Sequence, residues 1–194
     1  MGTFAVLISK VLNPLVLVWL TSFLVLTLQD LPPTQKASLL FLASLLAAAP
    51  VLILYSDFKK GKVASFWSPS KEERGKTLLF WVVAAFIAVL SAYAIEAPRL
   101  ILALSLVLLV LGLLNALLVK FIKISVHSEM VTIFALTTIL TLSVGFIYLI
   151  SLIFLVGWAR VYLKAHSLLE VVSGILLAIL TVYTVFSFFG LATF

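Results

Sequence analysis

The run Val131-Thr-Ile-Phe-Ala-Leu-Thr-Thr-Ile-Leu-Thr-Leu-Ser-Val-Gly145-Phe-Ile-Tyr-Leu-Ile-Ser-Leu-Ile-Phe-Leu-Val-Gly157-Trp158 contains no charged residue. A helix needs about 20 consecutive apolar residues to cross the hydrocarbon core of a bilayer. The run therefore holds one long helix or two tilted ones turning near Gly145. Similar stretches lie on both sides of it. The pattern predicts helices near 4–28, 37–56, 77–95, 98–121, 128–144, 146–163 and 167–190. Hydrophobic residues make up 64% of the 194 residues and charged residues 10%, with a mean hydropathy of +1.33. A soluble domain of this length does not need so much apolar surface. The expected fold is all-α: a polytopic membrane bundle of six to seven spans, forming one integral membrane domain over residues 1–194.

Polar breaks separate the expected spans. Gln29-Asp30-Leu31-Pro32-Pro33 ends the first, because consecutive prolines remove amide donors. Residues 57–76 form the long polar loop, and Glu96-Ala97-Pro98-Arg99 a tight turn. The first stretch carries Lys10 and Pro14 and shows no small-residue cleavage site before Gln29, so it is expected to remain as a helix rather than act as a signal peptide. Cysteine is absent, which excludes disulfides and thiolate metal sites.

If all seven helices cross, the connections at 57–76, 120–129 and 160–170 share one side. They collect ten of the thirteen Lys and Arg residues. The net charge of +6 then reflects membrane topology and lipid phosphates, with no nucleic-acid partner expected. The positive-inside rule would make that side cytoplasmic, in a cell membrane. Both histidines of the chain, His127 and His166, fall on it.

The two imidazoles sit in unusual company. One lies in Arg160-Val-Tyr-Leu-Lys-Ala-His166-Ser-Leu-Leu-Glu170, the other in Lys123-Ile-Ser125-Val-His127-Ser-Glu129. His166 and Glu170 are four apart and share a face if helical. A carboxylate beside an imidazole fixes its tautomer and favours a nucleophilic or protonated form. Arg160 offers a planar fork of donors that matches phosphate oxygens. Ser125 and His127 open a helix, whose N-terminal amides favour an anion.

In these motifs the chain resembles the type 2 phosphatidic acid phosphatase superfamily over roughly residues 57–190. That family carries Lys, six residues, Arg-Pro; then Pro-Ser-Gly-His; then Ser-Arg, five residues, His, three residues, Asp. The third motif is matched from Ala159-Arg160 through His166 to Glu170, with Ala for Ser and Glu for Asp. The second appears as Ile124-Ser125-Val126-His127, which keeps Ser and His. The first is not present as written; its counterpart is Ser68-Pro69-Ser70-Lys71-Glu72-Glu73-Arg74.

The resemblance implies a metal-independent lipid phosphatase without a cofactor. His166 would attack phosphorus and form a phosphohistidine, with Glu170 orienting it. His127 would protonate the leaving alkoxide and then help water attack. Arg160, Ser125, Lys71 and Arg74 would hold phosphate oxygens. Lys123, four residues before His127, joins them as a further phosphate-binding candidate. Isoprenoid phosphates or diphosphates and phospholipid monoesters are the expected substrates. Two other functions fit the same residues: a lipid phosphotransferase of the same fold, and an inactive binding or scaffold protein. The simpler view of Arg160 and Lys164 is that they mark the membrane edge. No His-Glu-x-x-His pair supports a metal site.

Overall fold

The computed structural model describes residues 2–64 and 70–192. Among them there are no strands, and the chain is an all-α bundle. Its helices are α1 (Gly2–Val11), α2 (Pro14–Thr27), α3 (Pro33–Lys59), α4 (Lys71–Ala94), α5 (Arg99–Leu118), α6 (Val126–Thr141), α7 (Ile150–Tyr162) and α8 (Leu168–Phe188). A 3₁₀ helix, Val144–Leu149, leads directly into α7. Five helical segments are long and apolar enough to cross a membrane: α3, α4, α5, Val144–Tyr162 and α8. The chain is an integral membrane protein on that ground. Taken together, α1 and α2 make a sixth apolar stretch, bent by 44°.

Local chemistry explains where the helices depart from the expected boundaries. The stretch expected as one helix over 4–28 breaks at Asn13-Pro14. Pro14 has no amide hydrogen and sits at the first position of α2, where none is needed. The Asn13 carboxamide accepts from Val16 N at 3.0 Å and donates to the Lys10 carbonyl at 2.7 Å, capping one helix and closing the other. The polar segment 57–76 is also shorter as a loop than its charges suggest. Ser70 and Glu73 form a reciprocal capping box that draws Lys71 to Lys76 into α4. Asp57 and Lys59 belong to the last turn of α3. The turn expected at Gly145 comes just before it, where Ser143 accepts from Gly145 N at 3.0 Å and starts the 3₁₀ helix.

The chain divides into two compact units, one formed by the segment up to Thr21 together with Ile124 onward, the other by Ser22–Lys123. In the second unit α4 packs against both α3 and α5. Small residues make this close: Ala84, Ala85, Ala92 and Ala103 are buried, and Gly112 lies against Val82 and Trp81. Between apolar helices in lipid, such packing replaces the hydrophobic driving force.

In the first unit α6 packs against α7 and α8, and α1 packs against α7. Val131, Ala135, Val156, Ala159, Ala178, Val182 and Phe186 form its apolar core, each with no exposed surface. At 16 residues α6 is about 24 Å long, less than a bilayer's roughly 30 Å hydrocarbon thickness. It is nonetheless the most enclosed helix, with ten buried residues, six of them polar or charged.

Candidate active site

Five of the eight candidate residues fall within the first unit, and a chain of backbone hydrogen bonds links their segments. Arg160 lies in the last turn of α7. That helix ends in a Schellman arrangement: Lys164 adopts a left-handed backbone (φ +52°) and its N–H bonds the Val161 carbonyl, while Ala165 N donates to the Arg160 carbonyl at 3.1 Å. His166 N donates to that same carbonyl at 3.3 Å. The five-residue interval between Arg160 and His166 is thus the length of this helix ending. It delivers the imidazole beside the backbone that carries the guanidinium.

The link to Glu170 is made by a cap, not by a shared helical face. Ser167 is the N-cap of α8, so His166 precedes the helix. Ser167 Oγ accepts from Glu170 N at 3.3 Å, and Glu170 Oε2 accepts from Ser167 N at 3.0 Å. This capping box folds the carboxylate back over the helix start. The same Oε2 meets His166 Nδ1 at 3.2 Å. The imidazole is almost wholly enclosed, at 1% side-chain exposure, and Glu170 is 17% exposed. A carboxylate at Nδ1 favours the tautomer that carries its proton there.

Ser125 and His127 arrive on α6. Ser125 is its N-cap, fully buried, with its N–H bonded to the Glu170 carbonyl at 3.2 Å. Its hydroxyl accepts from Ser128 Oγ at 3.0 Å instead of capping the helix. One turn beyond Glu170, Gly174 brings α8 against this point. A Cβ there would lie 2.9 Å from the Ser125 carbonyl oxygen and 3.4 Å from Glu129 Cγ. The first amides of α6, among them those of Val126 and His127, lack intrahelical partners and carry the partial positive end of the helix. His127 is buried at the second position of α6, 9% exposed.

Arg160 is 3% exposed and its Nη1 lies 3.5 Å from Ser9 Oγ on α1, at the limit of a hydrogen bond. A guanidinium keeps its charge even when enclosed, so such burial requires nearby polar groups. The Ser9 contact has no local signature, because 151 residues separate the partners. Glu129, quoted in the sequence beside His127, has no place among the candidate residues. It is a fully buried carboxylate on α6, two residues after His127. Its sequence signal is a carboxylate within a membrane-bundle helix, next to His127 and Ser128.

Lys71, Arg74 and Lys123 belong to the Ser22–Lys123 unit. The Lys71 ammonium donates to the Phe121 carbonyl at 2.8 Å, just past the end of α5. Lys123 acts electrostatically on Glu73. Ser68 and Pro69, part of the first-motif counterpart, lie outside the described residues. Among the described residues no group of three or more His, Asp and Glu side chains is placed to hold a metal ion.

No protein family matches the chain, and no curated protein or solved structure is similar to it.

Proposed function

We propose that the protein is a membrane phosphatase that hydrolyses a lipid phosphate or diphosphate through a phosphohistidine, without a metal. The observation that carries this is the buried His166–Glu170 pair, with Glu170 Oε2 3.2 Å from His166 Nδ1. Ser125, His127 and Arg160 in the same unit, and the resemblance of the Arg160–His166–Glu170 spacing to the lipid phosphatase motif, support it.

His166 Nε2 attacks phosphorus, and a P–N bond forms as the P–O bond to the lipid breaks. Protonated His127 gives its proton to the departing alkoxide. Water then attacks the phosphohistidine and loses a proton to His127; the P–N bond breaks, phosphate leaves and His166 is restored. Arg160 and the α6 amides offset the charge that builds on the phosphoryl oxygens. Helices α7 and α8 carry exposed Phe154, Leu168, Leu169 and Leu176, which suit an amphiphilic substrate with its tail among lipid chains. The connection between α7 and α8, with that between α5 and α6, would face the cytoplasm under the positive-inside rule.

The near-complete enclosure of the imidazole favours a second reading, in which a lipid alcohol takes the place of water and phosphate passes between lipids. One experiment addresses both. The purified protein in detergent with EDTA is given farnesyl phosphate, farnesyl diphosphate, phosphatidate and phosphatidylglycerol phosphate, with and without a long-chain alcohol. Phosphate release that His166→Ala abolishes is expected. A phosphorylated alcohol with no free phosphate would mean a transferase. No product of either kind would remove the enzyme from consideration and leave a binding protein.

A further inference from the structure

The Ser22–Lys123 unit has a feature that the proposed chemistry does not use. Three helix ends are tied together at one end of this unit. Lys76 Nζ, in the second turn of α4, contacts both Asp57 carboxylate oxygens at 3.1 and 2.8 Å, which joins it to the end of α3. Lys71 Nζ, at the start of α4, holds the Phe121 carbonyl at 2.8 Å, which joins it to the end of α5. The described segments meeting there, 57–64, 70–76 and 120–123, carry eight Lys and Arg residues against three carboxylates. Two of those carboxylates are committed internally: Asp57 to Lys76, and Glu73 to the amides of Ala64 at 2.8 Å and Ser70 at 2.6 Å.

Lys59, Lys60 and Lys62 are exposed around a fixed helix ending. Gly61, at φ +69°, makes the left-handed turn. Gly61 N bonds the Phe58 carbonyl at 3.0 Å and Lys62 N the Asp57 carbonyl at 2.9 Å, a second Schellman ending. Val63 is buried immediately after, anchoring the turn. The three ammonium groups are therefore presented from an ordered backbone. Exposed Tyr55, Phe58 and Phe121 accompany them, and Lys59 Nζ lies 5.7 Å from the centre of the Tyr55 ring. Aromatic rings beside lysines at the end of membrane helices occupy the headgroup level of a bilayer.

We infer that this end of the three-helix unit is a binding surface for the headgroup phosphate of anionic phospholipid, with Lys59, Lys60 and Lys62 as its principal cations. The surplus of exposed cations over committed carboxylates supplies the charge selectivity. The aromatic collar sets the depth at which a diester phosphate meets the ammonium groups. The assignment is independent of turnover at His166, since it concerns the other unit.

The test is titration of the purified full-length protein, in neutral detergent, with fluorescent phosphatidylglycerol and with fluorescent phosphatidylcholine. Phosphatidylglycerol is expected to bind more tightly, and its binding to weaken with salt. Each Lys→Gln change should weaken it by about fivefold, and the triple variant K59Q/K60Q/K62Q by roughly a hundredfold. Lys36→Gln, at the opposite end of α3, should leave it unchanged, and the triple Lys→Arg variant should retain it. If the triple Gln variant fails to fold, Lys60→Gln alone reads the fivefold effect. Equal binding of the two lipids, or undiminished binding by the Gln variants, would overturn the assignment. So would full displacement by inorganic phosphate or glycerol phosphate, which would mean a site for a soluble anion.

Discussion

Helices α3 and α6 differ in how much of themselves they bury. Helix α3 runs for 27 residues, and Asp57 is its one buried residue; Phe41, Leu45 and Leu52 are more than half exposed. Helix α6 runs for 16 and buries His127, Ser128, Glu129, Thr132, Thr137 and Thr138 among its ten enclosed positions. In water the apolar helix would be the hidden one. In a bilayer lipid solvates Leu and Phe at no cost, and polar groups must find protein partners. The most enclosed helix is thus the one richest in buried polar side chains, and it bears a candidate catalytic histidine.

The largest way to break that contrast is to remove a polar group from the enclosed unit. His166→Ala should lower phosphate release by about a thousandfold or more, with the circular dichroism spectrum unchanged, because the nucleophile itself is lost. A retained rate would show that the enclosed imidazole has a structural role only. Glu170→Gln should cost about a hundredfold or more in kcat, since the negative charge that stabilises the imidazole cation formed on attack is lost even where the Gln oxygen keeps the Nδ1 contact. Its melting temperature should scarcely move, because a Gln oxygen still accepts from Ser167 N in the capping box. Loss of folding alongside activity would make Glu170 a cap and nothing else.

Two glycines probe helix packing with smaller effects. Gly174→Ala places a methyl 2.9 Å from the Ser125 carbonyl, a backbone atom that cannot swing aside. We expect about 1–3 kcal/mol of destabilisation and a lowered kcat, as α6 shifts away from α8. Gly75→Ala in α4 meets nothing within 4 Å and should stabilise by about 0.5–1 kcal/mol. Denaturation of the two variants in one detergent gives both signs, and equal effects would contradict the close α6–α8 approach. Smallest is Lys164→Gly, which relieves the left-handed strain at the end of α7. It should gain up to about 1 kcal/mol with unchanged turnover.

The fold class was legible because length and apolarity alone identify membrane helices, and loss of charge over 131–158 needs no periodicity to be noticed. The pairing of His166 with Glu170 was legible from their spacing, but its cause was not. The expected shared helical face is in fact a capping box, whose Ser167 and Glu170 were in view as a Ser-x-x-Glu start signal. Asn13-Pro14 likewise spells a helix stop and restart within an apolar run that otherwise reads as continuous. The burial of α6 left no trace, because an amphipathic pattern disappears when a helix is enclosed on all sides. Ser9 beside Arg160 and Lys71 on the Phe121 carbonyl are long-range contacts with no local signature.

A phosphohistidine on His166 can be trapped directly. The protein would be mixed briefly with farnesyl diphosphate labelled in the transferred phosphoryl group and quenched in alkali, where a phosphorus–nitrogen bond survives. Mapping the label by mass spectrometry should place it on the peptide containing His166 and nowhere in the His166→Ala variant. Turnover without any label, or label that persists in His166→Ala, would contradict the phosphohistidine and with it the role assigned to the His166–Glu170 pair.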